Sequence, residues 1–446
     1  MAKIYFDDAL NTFAQIVHRT WGPKSLEENI FLRDADGLLT FVALDENKKE
    51  ERKSLTKLLA KSLRPYIDDV PVATPEEIFD DASRMVAEAR PMNVKFEDFS
   101  GFVKIIDRRL VGADWLRRPG KSERNPVRLV FASIKGGVGR STALSVLAAH
   151  LAAHGKRILT IDMDLEAPGL GNMLLANEAL PEFGLLDFLV EKRLGSLQDE
   201  FFSDLVGSSW LGGGKGRVDV IPALGKKSLK NPSNVLAKIA RAYLPGEARN
   251  RESDSSFTEH VESLLLRVAK PENYDLVLID ARAGLHETAA AGVLGLGAEV
   301  LFFGMDQTQT YAGYDILFAN IGMMIRGQDN DWRDRLSVVH SKASKDESAR
   351  KRFAEKMMDI MLNHLWLERQ GGVSTPDLVG MRGEFDTVWV EQPVHLEGFD
   401  GPSSPIVIPD SSFFQGFDPS RDKGCLEESA YLPTFGPFLT AIKEML

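Results

Sequence analysis

Cysteine is almost missing from this sequence. One residue in 446, Cys425, is a cysteine, which excludes intrachain disulfides, CxxC redox centres and Cys-rich zinc or iron–sulfur sites. That scarcity fits a reducing, cytoplasmic compartment. Long apolar runs are also missing. Stretches such as Ala143–Ala153 fall well short of the ~20 residues that a bilayer span requires. The N-terminal residues carry Asp7 and Asp8 early and lack the apolar run of a signal peptide. Positive charge is in deficit, with 54 Lys and Arg against 65 Asp and Glu and a net charge of −11. Coating nucleic acid needs surplus cations, so that role is disfavoured. Phe435–Leu446 offers Lys443 as its one basic residue, which argues for a docked terminal helix and against a membrane-binding amphipathic one. What remains is ordinary for a globular chain: 43% hydrophobic and 27% charged residues, with length enough for two domains.

Residues 1–103 read as a small α+β module. Asp8–Trp21 has helical spacing, with Leu10, Phe13, Ile16 and Val17 on one stripe. Asn29–Leu32 and Leu38–Leu44 read as strands around an Asx/Gly turn at Asp34–Gly37. Lys53–Leu63 and Pro75–Ala89 read as helices, the second with Thr74 as N-cap and Pro75 at its first position. Gly101–Ile106 reads as a closing strand. Lys104–Arg128 then holds eight basic residues against three acids. With Pro119, Gly120 and Pro126 it reads as a basic linker over 104–126, or as a contact surface for an acidic partner.

Residues 127–446 alternate strand and helix, which predicts an α/β domain with a mostly parallel sheet flanked by helices. Strands are expected at Arg128–Ser133, Arg157–Asp162, Val218–Pro222, Leu276–Asp280, Val300–Gly304, Leu336–His340 and Ile406–Ile408. Helices are expected at Thr142–Ala153, Pro181–Arg193, Ser233–Tyr243, Phe257–Lys270 and Lys345–Glu368. Gly371–Pro405, rich in Gly and Pro, reads as irregular surface.

The informative segment lies between the first strand and the first helix of this domain: Lys135-Gly136-Gly137-Val138-Gly139-Arg140-Ser141-Thr142. Glycines let backbone N–H groups wrap phosphate oxygens, and the helix N-terminus adds partial positive charge. A hydroxyl at the helix start suits Mg²⁺. A plain strand-to-helix turn needs one glycine and neither cation. The next strand ends in Asp162-Met163-Asp164, and a later apolar strand ends in Asp280. Carboxylates at these places can order hydrated metal and orient a water.

This pattern resembles the deviant Walker A ATPases, the ParA/MinD-type P-loop proteins, whose motif is KGGxGK[ST]. The resemblance covers roughly Val127–Leu446. It implies ATP and Mg²⁺ as cofactors, with phosphates held by residues 136–142. It makes Lys135 the signature lysine that reaches the partner's phosphates in a homodimer with nucleotide at the interface. It implies metal ligation by Ser141, Asp162 and Asp280, and positioning of the attacking water by Asp164. Glu166–Leu170 corresponds to the mobile switch I segment. Two departures stand out. Arg140 replaces the P-loop lysine, and arginine is larger, planar and not an equivalent cation. Arg282 replaces a proline after Asp280, where it either faces solvent or supplies a second cation near the γ-phosphate. Base recognition is less marked: Val338–Lys342 contains no asparagine, while Ile408-Pro409-Asp410 resembles the loop that flanks adenine, placing Pro409 and Asp410 at the nucleotide. ATP is favoured over GTP because no NKxD appears.

The expected function is a nucleotide-dependent dimerisation switch, an ATPase with slow turnover, whose N-terminal module couples it to an unidentified protein partner. The variant motif and the appended module point by association to a specialised system such as a bacterial defence cassette. Arg140 favours a rival, a non-hydrolysing ATP sensor or scaffold. A DNA-associated ATPase acting through the basic stretch is the third reading.

Overall fold

The computed structural model describes residues 3–45, 49–97, 99–109, 111–122, 125–212, 214–244, 256–324, 330–366 and 402–446. The described residues of 1–110 form one unit and those of 111–446 another. Most of the Gly/Pro-rich stretch 371–405 lies outside them.

In the first unit the stripe on Phe6–Trp21 buries Leu10, Phe13, Ala14 and Val17, with acids in the first turn and basic residues in the last, matching the helix dipole. The expected turn forms as read: Asp34 Oδ1 accepts from the N–H groups of Asp36 and Leu38, and Gly37 sits at φ +89°. It joins β1 (Ile30–Arg33) to β2 (Leu39–Val42). With β3 (Val72–Ala73), β4 (Arg90–Phe96) and β5 (Phe99–Asp107) these make a sheet of order β3-β2-β1-β5-β4. β4 was not among the expected strands. It is an edge strand, where Pro91 costs little.

The helix expected over Pro75–Ala89 is split. Thr74 and Glu77 bond reciprocally as a capping box should, with Glu77 Oε2 accepting from the Thr74 N–H at 2.8 Å. Phe79 then turns left-handed at φ +56°, ending a single 3₁₀ turn. Asp81 caps a new helix, Ala82–Glu88, by accepting from Arg84 N–H. Two caps seven residues apart compete, and the chain satisfies both by breaking.

The second unit is built on β6 (Val127–Ser133), β7 (Arg157–Asp162), β8 (Gly207–Ser208), β9 (Arg217–Ile221), β10 (Leu276–Asp280), β11 (Glu299–Gly304), β12 (Leu336–Ala343) and β13 (Ile406–Pro409). Their order is β13-β12-β11-β6-β10-β7-β9-β8. Every neighbouring pair is parallel except β8 with β9. Both faces are covered. Along β6, Leu129 and Phe131 enter one core, shared with the helices Arg140–Ala153 and Glu428–Met445, and Val130 and Ala132 enter the other. Parallel pairing gathers the C-terminal ends of β6, β7, β10, β12 and β13 on one edge of the sheet, where ligands of open α/β sheets bind. The terminal helix is docked as expected, burying Tyr431, Phe435, Phe438, Leu439 and Ile442. Among the described residues, no helix is long and apolar enough to cross a membrane.

The stretch read as a basic linker is structured over much of its length. Lys104–Asp107 completes β5. Ala113–Leu116 forms a 3₁₀ turn with Asp114 and Trp115 buried, and Glu287 accepts from the N–H groups of Gly112 and Asp114. Gly120 N–H donates to Leu294 O at 2.7 Å. Arg108, Arg109, Arg117 and Arg128 each pair with an acid of their own unit. Much of the positive charge that suggested an acidic partner is therefore neutralised at home.

Candidate functional site

β6 ends at Ser133 and a helix begins at Arg140, with Gly137 at φ +75° and Gly139 at φ +84° between them. Side chains with a Cβ rarely adopt that conformation, so these two glycines are demanded by the path of the chain. A Cβ added to Gly136 or Gly137 meets nothing within 4 Å, which leaves room along the loop for a ligand. Val138 is buried and anchors the loop. The N–H groups of Arg140, Ser141 and Thr142 precede the first intrahelical bond, from Ala143 N–H to Gly139 O, and are a ready anion site.

Beneath the loop lie three carboxylates. Asp280 stands opposite Asp162 across the β10–β7 pairing. Asp162 Oδ1 accepts from the Asp164 N–H and its Oδ2 from the N–H groups of Gly169 and Leu170, so it holds the following segment in place. Burial, and then the neighbouring Asp280, push Asp162 up to about 7 against those backbone donors. Burial also raises Asp164, whose Oδ1 accepts from the Ala167 N–H.

Arg140 is the counter-ion to this cluster. Its Nε donates to Asp280 Oδ1 (2.5 Å), its Nη1 to Ser133 Oγ (3.1 Å) and its Nη2 reaches Asp164 Oδ2 (3.5 Å). Burial works against its charge, but Asp280 first, then Asp164 and Asp162, outweigh that and raise its pKa. The guanidinium thus faces the carboxylates that the sequence assigns to metal and water. Ser141 Oγ donates to the other oxygen of Asp280 at 2.5 Å. A hydroxyl and carboxylates packed this closely are a hard, all-oxygen donor set that suits Mg²⁺.

Two further cations border the loop. Lys135 Nζ donates to Gln307 Oε1 of its own chain at 3.1 Å. Lys342 Nζ donates to the carbonyl of Gly137 at 2.7 Å. Lys342 has φ +48°, and the β12–β13 register shifts between His340 and Ala343. An irregularity at a strand end re-aims a side chain, and here it turns one exposed lysine out of a buried strand and onto the loop. Arg282 pairs with Glu166 at 2.5 Å and ties the end of β10 to the segment after Asp164, and its charge acts on Asp164. Pro409 ends β13 on the same sheet edge, and Asp410 N–H donates to Ala343 O. His340, where an asparagine was sought, stacks on Phe353 at 3.9 Å, and burial pulls it down to about 4.

Residues 129–350 match the CobQ/CobB/MinD/ParA nucleotide binding domain family. This domain belongs to that family. The match contains the glycine loop and all three carboxylates, so this ParA/MinD-type P-loop domain spans the whole site except Pro409 and Asp410. Among solved structures, apo McdA from Cyanothece is 16% identical, with a TM-score of 0.43, covering 71% of this chain and 98% of its own. The cell division ATPase MinD from Pyrococcus furiosus is 15% identical, with a TM-score of 0.40 and coverages of 72% and 100%. Cobyrinic acid a,c-diamide synthase from Mycobacterium smegmatis, with bound ADP and magnesium, is 16% identical, with a TM-score of 0.36 and coverages of 54% and 82%. No curated protein matches the sequence.

Sequence reasoning missed Ser133 and Lys342. The only signal for Lys342 was a lone lysine closing an otherwise apolar strand. Ser133 carried none, because its role depends on where Arg140 folds.

Proposed function

We propose that this chain is an ATP-binding switch that dimerises around Mg²⁺-ATP and hydrolyses it slowly, passing its state to a protein partner through the N-terminal unit. The observation that carries this reading is the left-handed Gly137–Gly139 loop set above the Ser141–Asp280 pair. Phosphates would lie along the N–H groups of residues 136–142. Ser141 and Asp280, with Asp162 behind them, would hold Mg²⁺, which neutralises charge on the phosphate oxygens. Asp164 orients the attacking water, and Lys135 exchanges Gln307 for the partner's phosphates on dimerisation. The bond from Arg140 to Asp280 makes the ligand-free site self-neutralising, so nucleotide binding must redistribute that charge.

The test is calorimetry on the full chain with Mg²⁺ and ATP, ADP or GTP, alongside sedimentation. Micromolar ATP binding with a dimer supports the reading, and no affinity for any purine nucleotide overturns it. The contact between Arg140 and Asp164 favours the second reading, a sensor that does not hydrolyse. Incubation with Mg²⁺-ATP separates the two: intact nucleotide retained in the dimer after hours selects the sensor. Lys342 takes the place at the loop that Arg140 has left. Lys342→Met is therefore expected to weaken ATP binding about tenfold, ~1.4 kcal/mol, with less effect on adenosine. Equal affinities for wild type and variant would remove Lys342 from the site.

A further inference from the structure

We propose that His150, His154 and Glu428 form a divalent transition-metal site of the zinc class, joining the C-terminal helix to the helix that follows the P-loop. One ligand atom from each of the three residues lies within 4.8 Å of the other two. His150 is in the last turn of Arg140–Ala153, and His154 caps it one turn on, so both imidazoles share one face. Their ring centroids are 4.4 Å apart. Glu428 opens the helix Glu428–Met445 and brings its carboxylate to them from across the contact.

The hydrogen bonds leave metal-binding nitrogens available. His154 Nδ1 lies 2.8 Å from the carbonyl of His150, an acceptor, so Nδ1 carries the proton and Nε2 keeps its lone pair. His150 Nδ1 shares a hydrogen bond with Tyr431 Oη at 3.2 Å, which steadies the ring and leaves Nε2 as ligand when the hydroxyl accepts. Partners on the far ring nitrogen are how metal-binding histidines are oriented. Burial pulls His150 below the usual histidine value.

Two imidazole nitrogens and one carboxylate oxygen suit zinc and its neighbours and leave a fourth position for water, whereas Mg²⁺ prefers oxygen alone. Bonds of ~2.0–2.1 Å put tetrahedral ligand atoms about 3.3 Å apart, so the three groups must close by up to about 1.5 Å. Glu428 is exposed, and rotation of its side chain supplies most of that approach while the His154 Nδ1 bond stays in place. The site lies about 15 Å along the helix axis from Arg140, well away from the phosphate-binding end, and stands whether or not the chain binds ATP. Its consequence is mechanical: an ion there staples the docked terminal helix to the element that carries the P-loop.

The experiment uses the full chain, stripped with EDTA and held in excess Mg²⁺ to occupy the oxygen sites. It is titrated with Zn²⁺ by calorimetry and with Co²⁺ by visible absorption. One ion per chain is expected, with micromolar or tighter affinity and Co²⁺ bands of a four- or five-coordinate site. His154→Ala and Glu428→Gln should each weaken Zn²⁺ binding at least tenfold while leaving the metal-free unfolding temperature unchanged. Absence of a stoichiometric ion, or wild-type affinity in both variants, overturns the proposal.

Discussion

Arg140→Ala is expected to lower the unfolding temperature of the ligand-free P-loop unit by about 10 °C near neutral pH, and millimolar Mg²⁺ should restore much of the loss. The guanidinium is buried and bonded to Asp280, Ser133 and Asp164, with Asp162 beyond. Removing one partner of a buried ion pair costs about 3–5 kcal/mol, because the remaining charge stays desolvated. At ~2–4 °C per kcal/mol for a unit of this size, the lower end of that range gives the figure quoted. On the proposed function Mg²⁺ would bind the same carboxylates in the folded state, and so would stabilise by mass action, and more where no arginine competes. Arg140→Lys should fall between, since an ammonium keeps the charge but cannot span Asp280 and Ser133 together. Adding Asp280→Asn to Arg140→Ala should recover part of the loss, as the double substitution removes the stranded charge. Scanning calorimetry with and without Mg²⁺ checks this. An unchanged transition, or an equal Mg²⁺ shift in wild type and variant, would show that Arg140 is not the counter-ion.

Asp164→Ala should reduce ATP turnover about 100- to 1,000-fold while ATP affinity changes less than about threefold. The expectation follows from where the carboxylate sits. Asp280 accepts from the Ser141 hydroxyl, whereas Asp164 is held apart from it by the Ala167 N–H and by a long 3.5 Å contact to Arg140. Its pKa is raised, chiefly by burial, which makes it a better proton acceptor than an ordinary aspartate. Single-turnover hydrolysis and equilibrium binding measured on the same preparation separate the two effects. Parallel losses in both would mean that Asp164 supports binding and not the water.

The two predictions depend on different kinds of information. Asp164 was legible from its place two residues beyond the end of a β-branched strand that follows the glycine loop by one helix. The same local logic located β7 and β10 residue for residue, because strands buried on both faces read as unbroken apolar runs. It failed where two local signals conflict. Thr74 with Pro75 and Asp81 each start a helix, and Phe79 between them takes the left-handed turn that separates them. It also missed β4, although Met92, Val94 and Phe96 alternate with Asn93 and Lys95 as a strand with one buried face should.

Arg140 shows the boundary most clearly. Sequence alone determined that a cation stands where a phosphate-binding lysine is expected, that glycines and a hydroxyl flank it, and that three aspartates end nearby strands. Those facts are local, set by residue type and spacing. Which way the cation points was decided only by the tertiary structure. Parallel pairing seats β10 between β6 and β7, bringing Asp280 and Asp162 under one helix start, and a buried guanidinium goes where the uncompensated charge is greatest. Long-range register likewise placed Lys342 on a loop 205 residues away and set Glu428 beside His150 and His154. Contacts between distant segments leave no periodic trace in either one, so folding alone brings such partners together.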